Sequence, residues 1–507
     1  MIVGGMASAA SAASTPSTAS ATATAILFLL VAPLIIGLVA LRLPIGTCQA
    51  LTTATGALSF AAAITLVPAA AERDVTVGHY VRADAISVVF LLATGFLYLT
   101  VAAYSIGYLR QDARTPEFTR YARRFYAGLN LFAWAMLAAP LMSSLALLWI
   151  AIEVTTVISA LLVAIEDTDG AVEAAWKYVL IASAGLGIAL LATVFTYAAG
   201  ARVLGPSYDL AITPLLRAGA HVPHTATRLT FVLAVLGYGT KAGLFPVHTW
   251  LPDAHSEAPT PVSALLSGSL LAVSFYAILR YYQVGTAVLG PRFPQAVLLV
   301  FGVSSLLLAA LYLLDQGDLK RLLAYSSVEH IGIMTIGVSF GAPVALAGVL
   351  LHVLAHAAAK GNAFMGAGVL VRKYGSKQVS AIRGGLDLLP WSGPLLLMAV
   401  LALAAMPPFG IFRSEFEIVA GGFASSRNAA AAVLVILVTV AFLGLSAAAN
   451  RMLLTRAPAT LPRGEPSTWM VIPVVAGIVA LVVLGVDPPG HLVALLSRGA
   501  AELGGLA

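Results

Sequence analysis

The stretch Gly237–Gly268, GYGTKAGLFPVHTWLPDAHSEAPTPVSALLSG, decides the fold. It continues an apolar run long enough to enter a bilayer, yet it carries Lys241, Pro246 and His248 within eight residues. Pro246 offers no N–H to the carbonyl of Ala242, and its ring disturbs the turn before it. Gly237, Gly239 and Gly243 loosen the same helix. Carbonyls freed at membrane depth are tolerated only where they face protein or a water-filled cavity. The stretch therefore predicts a broken membrane helix lining a polar interior. Lys241 and His248, seven residues apart, share a face if the helix continues through Pro246.

The rest of the 507-residue chain fits that reading: 60% of it is hydrophobic, 10% charged, and its mean hydropathy is +0.95. Apolar runs of about 20 residues, long enough to cross a bilayer as helices, recur near 25–41, 49–71, 84–108, 126–142, 144–165, 174–199, 229–250, 260–283, 294–314, 321–340, 344–371, 390–421, 428–453 and 468–486. The expectation is an all-α polytopic membrane protein of about fourteen transmembrane helices. Residues 25–486 form one transmembrane unit, after a flexible lead-in over 1–24 and before a C-terminal tail over 487–507. The lead-in lacks the basic segment of a cleaved signal peptide.

The net charge of +6 and pI near 9.4 invite a nucleic-acid reading. The placement of the cations argues against it. They gather on one set of alternating loops: Arg110, Arg114, Arg120, Arg123 and Arg124, then Lys320 and Arg321, then Arg372, Lys373, Lys377 and Arg383, then Arg451, Arg456 and Arg463. By the positive-inside rule that side is cytoplasmic and both termini lie outside, in a bacterial cell membrane. The single cysteine, Cys48, cannot form an intrachain disulfide or hold an iron–sulfur cluster by itself. No cofactor is expected, so any redox chemistry belongs to another subunit.

Two of the six lysines, Lys241 and Lys360, fall inside predicted spans, as do Glu153 and Glu415. A charge at the bilayer centre costs roughly 2.5–3.5 kcal/mol on the insertion scale, which marks such residues as functional candidates. The alternative is a set of structural ion pairs, for which Ser, Thr and Gly are cheaper packing devices. In LHVLAHAAAKGNAFMGAGVL, His352, His356 and Lys360 are four apart and share one helix face over roughly 12 Å. An HxxxH pair also suits a metal, but this one lacks the adjacent glutamate of a zinc-protease helix, so no metal is assigned. Ser326, Glu329 and His330 sit in the preceding span, and His330 reads equally as a packing residue. Pro407, Pro408 and Gly410 repeat the helix-breaking device just before Glu415. Two broken, charge-bearing helices suggest repeated transporter halves.

The run TKAGLFPVHTWLPDAHSEAPTPVSALLSG resembles the signature of the proton-translocating, antiporter-like subunits of respiratory complex I, which are related to multi-subunit sodium/proton antiporters and membrane-bound hydrogenases. The resemblance extends from about Asp84 to Arg456 and includes AAWKYVLIASAG, DLKRLLAYSSVEHIGIM and PPFGIFRSEF. AYSSVEHIGIM and HAAAKGNAFMGAG are most similar to the F-type membrane subunit of hydrogenase-4-like complexes. The resemblance implies two inverted five-helix repeats with the seventh and twelfth helices broken. It implies that Glu153 pairs with Lys241, and that Lys360 and Glu415 continue the row. Some relatives carry a histidine where this chain has Ser267, or a lysine near Ala272, so a link from Lys241 to Lys360 runs here through water lined by Ser267, Ser269, Ser274 or Tyr276. Arg413 is a further departure, expected to pair with Glu417.

The function expected is a non-catalytic, proton-translocating subunit of a respiratory redox complex. Its proton pathway is Glu153, Lys241, His248, His330, His352, His356, Lys360 and Glu415. Its partners are other membrane subunits, a peripheral redox module and the lipid bilayer. Burial disfavours a charged lysine and a nearby carboxylate favours it, so pairing of Glu153 with Lys241 acts as a switch. The alternative is a subunit of a cation/proton antiporter or another ion-coupled transporter. A haem- or quinone-binding electron-transfer subunit is disfavoured, because one helix presents both histidines at i,i+4. Asp253, His255 and Glu257 are read as the connection after the broken helix, serving either as a water entry or as an exposed turn.

Overall fold

The computed structural model describes residues 16–110 and 115–505, so residues 1–15 of the lead-in, Arg114 and the last two residues lie outside the described residues. The chain is helical almost throughout, in the order α1 (Pro16–Ala40), α2 (Ile45–Glu72), α3 (Ala85–Tyr108), α4 (Pro116–Ala138), α5 (Leu145–Val163) and α6 (Asp169–Leu204). Next come the interrupted α7 (α7a, His224–Ala242; α7b, Trp250–Glu257), α8 (Thr260–Leu289), α9 (Arg292–Leu313), α10 (Leu319–Phe340) and α11 (Pro343–Tyr374). The interrupted α12 (α12a, Ser392–Leu403; α12b, Gly410–Ala424), α13 (Asn428–Leu453), α14 (Ile472–Val486) and α15 (Gly490–Gly504) complete the order. Among the described residues ten helices are long and apolar enough to cross a membrane. A two-stranded hairpin, β1 (Val75–Val77) paired antiparallel with β2 (Val81–Ala83), leads into α3.

Four helices, α3, α8, α10 and α11, form the buried centre. Helix α8 is buried from Thr260 to Gly285, although it carries Ser267, Ser269, Ser274 and Arg280. The outer helices present Leu161, Leu180, Val300, Ile436 and Val479 outward, the surface expected of a chain solvated by lipid tails. Small residues let backbones meet: Gly302 of α9 and Gly332 of α10 lie against each other's main chain, as do Gly237 of α7a and Ala189 of α6.

Several boundaries correct the sequence reading. Residues 16–24, assigned to a flexible lead-in, are helical, because PSTASATAT combines a first-turn proline with alanines, the strongest helix formers. Helix α4 starts ten residues before its apolar run, since its first turns are amphipathic, with Arg120, Arg123 and Arg124. The stretch after 486, read as a C-terminal tail, carries α15, which packs onto α2, α3 and α11 and buries Leu495, Leu496 and Leu503. Asp253, His255 and Glu257 lie in a helix, α7b, not in a connecting loop.

Candidate functional site

The break in α7 is built by a few local bonds. Gly243 adopts a left-handed conformation at φ +86°, which glycine accepts without a Cβ penalty. The N–H of Leu244 donates back five residues to Gly239 O at 2.8 Å. Pro246 follows in a cis peptide with Phe245. The groups freed by the break find side chains: Trp250 Nε1 donates to Thr240 O at 2.7 Å, and Phe245 N donates to Ser305 Oγ at 2.9 Å. The break in α12 has the same anatomy. Ala405 is left-handed at φ +52°, and Met406 N donates five residues back to Leu401 O at 3.0 Å. Pro407, Pro408 and Gly410 then lead into α12b, which carries Glu415.

Lys241 ends α7a and is fully buried. Its Nζ donates to Ile152 O at 3.0 Å and to Thr156 Oγ1, both on α5. The expected partner, Glu153, makes no ion pair within 4.0 Å of it. Instead Glu153 Oε1 accepts a bond from Ser183 Oγ of α6 at 3.4 Å, and its Oε2 has no hydrogen-bond partner. Glu153, itself on α5, is thus turned to α6 while Lys241 bonds other atoms of α5, and the predicted pair is open. His248 is not on the face of Lys241, because the helix does not continue: it lies in the unwound segment, beside Phe245 and Tyr325, with Nδ1 unbonded.

Lys360, also fully buried, donates to Leu323 O of α10 at 3.2 Å. The same carbonyl accepts from Ser327 Oγ at 3.0 Å, and Ser327 Oγ meets Ser267 Oγ of α8 at 2.7 Å. Ser267, standing where some relatives have histidine, is thereby joined to Lys360 through one serine and one shared carbonyl. It sits in a single π-helical turn over Leu266–Leu270, an irregularity frequent at functional sites. Ser269 of that turn bonds Thr94 of α3 at 2.7 Å.

Beyond Lys360, three histidine rings gather. The centroids of His330 and His352, and of His330 and His356, are 5.2 Å apart. His330 Nδ1 meets His352 Nε2 at 3.1 Å, and His352 Nδ1 meets Ser414 Oγ at 2.9 Å. Ser414 donates its only hydroxyl proton to Ile411 O at 2.8 Å. His352 must therefore donate from Nδ1 and accept at Nε2, which makes His330 Nδ1 the donor between the rings. Glu415 Oε1 lies 3.8 Å from His330 Nδ1, and Arg413 bonds Glu417 at 3.1 Å. Glu329, His356 and Glu415 keep buried polar atoms without hydrogen-bond partners.

Two features escaped the sequence reading. His255 is fully buried, with both ring nitrogens unbonded, and stacks on Phe364 of α11 at 5.1 Å. The next two residues, Ser256 and Glu257, line a polar cavity of about 580 Å³ with Tyr108, Glu166, Lys320 and Lys377. The second is an ion lock at the opposite end. Arg280 of α8 donates to both oxygens of Asp84, at 2.6 and 2.7 Å, and Arg82 adds a bond at 2.7 Å. Burial opposes the charge on Asp84, but Arg280 and Arg82 outweigh it and hold the carboxyl well below its ordinary range. Glu502 of α15 accepts from the first amides of α3, and burial followed by the neighbouring Asp84 charge pushes it up to about 7. Asp84 caps α3 at the first residue of one predicted span and Arg280 sits three residues before the end of another, so nothing in the sequence signalled their pairing.

The family described as NADH:quinone oxidoreductase/Mrp antiporter, TM, matches residues 142–443. A hydrogenase-4 component F homolog from Methylacidiphilum infernorum is 35% identical over 366 residues, 71% of this chain and 76% of that protein. Hydrogenase-4 component B of Escherichia coli is 30% identical over 365 residues, 69% of this chain and 52% of that longer protein. Among solved structures, a chain of the archaeal membrane-bound sulfane sulfur reductase superposes with a TM-score of 0.83 at 19% identity, covering 95% of this chain and 97% of its own. A chain of respiratory complex I from Thermus thermophilus gives 0.80 at 23% identity, covering 95% and 99%. These likenesses establish the fold. The family match and the component F homolog go further: this chain belongs to the NADH:quinone oxidoreductase/Mrp antiporter family of membrane subunits.

Proposed function

We propose that this chain carries protons across a bacterial cell membrane as a subunit of a respiratory redox complex of the hydrogenase-4 or NADH–quinone type. The observation that carries the reading is the set of buried polar groups along the interior: Lys241 bonded to α5, Lys360 joined to Ser327 and Ser267 through Leu323 O, and His330 gathered with His352 and Glu415. Among the described residues, no other arrangement in the interior gathers so many ionisable side chains at membrane depth, where each is costly. Family membership and the relatives named for hydrogenase-4 and NADH-quinone oxidoreductase support the same assignment.

In this reading the cavity over Lys320 and Glu257 is the cytoplasmic mouth, with both termini outside. Protons reach the interior past His255. Lys241 holds its proton while Glu153 is near and releases it when Glu153 swings toward Ser183, the arrangement seen here. Waters beside Ser267 relay it toward Lys360, and Lys360 passes it along α11 to His356, His330 and His352. Glu415 accepts it on the way out through α12. His248, in the unwound segment, borders the start of the path. The driving force comes from a peripheral redox module perturbing one end of this row through the Glu153–Lys241 element, the two-state switch that coupling requires. Fourteen spans in two inverted five-helix repeats, with the matched breaks in α7 and α12 at corresponding places, complete the proposal.

Relatives named as potassium/proton and sodium/proton antiporter subunits favour a second reading, cation exchange by the same axis. Proton uptake by vesicles holding the assembled complex separates them. Redox-driven acidification without added sodium, lost in Glu153→Gln, supports proton translocation. Acidification that needs a sodium or potassium gradient supports exchange.

A further inference from the structure

Three helices bring donor atoms to one buried point. His330 Nδ1 of α10 lies 3.1 Å from His352 Nε2 of α11 and 3.8 Å from Glu415 Oε1 of α12. All three donor atoms lie within 4.8 Å of one another. A tetrahedral ion with bonds of about 2.0–2.2 Å keeps its ligand atoms roughly 3.3–3.5 Å apart, so the spacing needs little adjustment. Glu415 Oε1 has no hydrogen-bond partner, leaving a ligand atom uncommitted. Ser414 fixes the third requirement. By accepting from His352 Nδ1 it turns the Nε2 lone pair into the cluster, the role an outer partner plays for a metal-bound histidine.

We propose that His330, His352 and Glu415 form a binding site for a borderline divalent transition cation of the zinc class, and that an ion held there blocks proton passage. Two imidazoles and one carboxylate suit such ions, whereas sodium, potassium, magnesium and calcium prefer all-oxygen sets. The helical pair His352 and His356 is not what converges: the second nitrogen ligand comes from α10 and the oxygen from α12. Binding needs the Nδ1 lone pair of His330, so the proton now shared with His352 moves to His330 Nε2, which has no partner to oppose it. Glu415 binds as carboxylate. It also borders a cavity of about 420 Å³ between α12 and α13. The binding claim stands on this geometry, while the blocking claim rests on the proton-transfer reading above.

The test titrates Co²⁺ alone into the purified, detergent-solubilised complex and follows its d–d spectrum, then displaces it with Zn²⁺. One four-coordinate Co²⁺ per chain is expected. Binding falls about 10–100-fold in Ser414→Ala, and further in His352→Ala and Glu415→Gln. An unchanged spectrum in both His352→Ala and Glu415→Gln, or no Co²⁺ bound by the unmodified chain, overturns the site and leaves proton transfer standing. In parallel, Zn²⁺ at concentrations that displace Co²⁺ should stop redox-driven acidification by the unmodified complex. Displacement with undiminished acidification overturns the blocking claim and the relay through these residues, while the site stands.

Discussion

Lys241 Nζ lies 3.0 Å from the carbonyl oxygen of Ile152, the residue before Glu153, and makes no ion pair with Glu153 itself. The buried Lys241 Nζ is thus held by a backbone carbonyl and the Thr156 hydroxyl, while the Glu153 carboxyl one residue along α5 points to Ser183. The two side chains therefore keep separate partners in this arrangement. That suits a switch embedded in a close-packed interior, which transmits small shifts better than it absorbs them.

The left-handed turn at Gly243 sets where α7 stops. A Cβ there carries a backbone cost of about 1–2 kcal/mol and meets Leu251 Cδ1 at 2.7 Å. Gly243→Ala is expected to lower the thermal midpoint of the complex in detergent. Gly187→Ala, at an outward helical position with open space around it, should leave the midpoint unchanged or raise it.

The Asp84–Arg280 lock pins α8 to the start of α3. Asp84→Leu leaves a guanidinium only 1% exposed without its anion, a loss of about 3–5 kcal/mol for a broken buried pair. Arg280→Met added to Asp84→Leu should recover part of that stability, because no buried charge is then stranded. Denaturation of the two variants side by side checks the order; a double variant less stable than Asp84→Leu contradicts the lock.

Glu502 supplies a pH signature. Its folded value, near 7, stands above its ordinary carboxylate range, so the folded chain binds this proton more tightly than the unfolded chain. The stability it contributes is full below its ordinary value near 4.5 and is lost as pH rises toward 7. Glu502→Gln, which stays neutral, should gain in thermal midpoint over the unmodified chain between pH 4.5 and 7 and hold that gain above. A difference independent of pH contradicts this environment for the carboxyl.

The fold was legible because hydropathy and helix-breaking residues report directly on membrane helices: Pro246 and Pro408 mark both breaks. Lys241, Lys360 and Glu415 were legible because charge is rare at that depth. What the chain order concealed is three-dimensional. His255 looked like a loop residue because Pro252 and Pro259 flank it, and α7b is too short for periodicity to show. Ser414 carried no signal, since a serine beside a glutamate is ordinary until His352 is found opposite it. The convergence of His330 with His352 depends on how α10 and α11 pack, which spacing along one helix cannot reveal. The open Glu153–Lys241 contact likewise depends on side-chain direction.

The most direct measurement is the number of protons moved per redox turnover by the assembled complex carrying Lys241→Ala, with assembly checked by co-purification. The account predicts that turnover continues or slows while proton movement through this subunit is lost, lowering the ratio. An unchanged ratio in a fully assembled Lys241→Ala complex would contradict it, since no proton could then depend on the lysine at the break of α7.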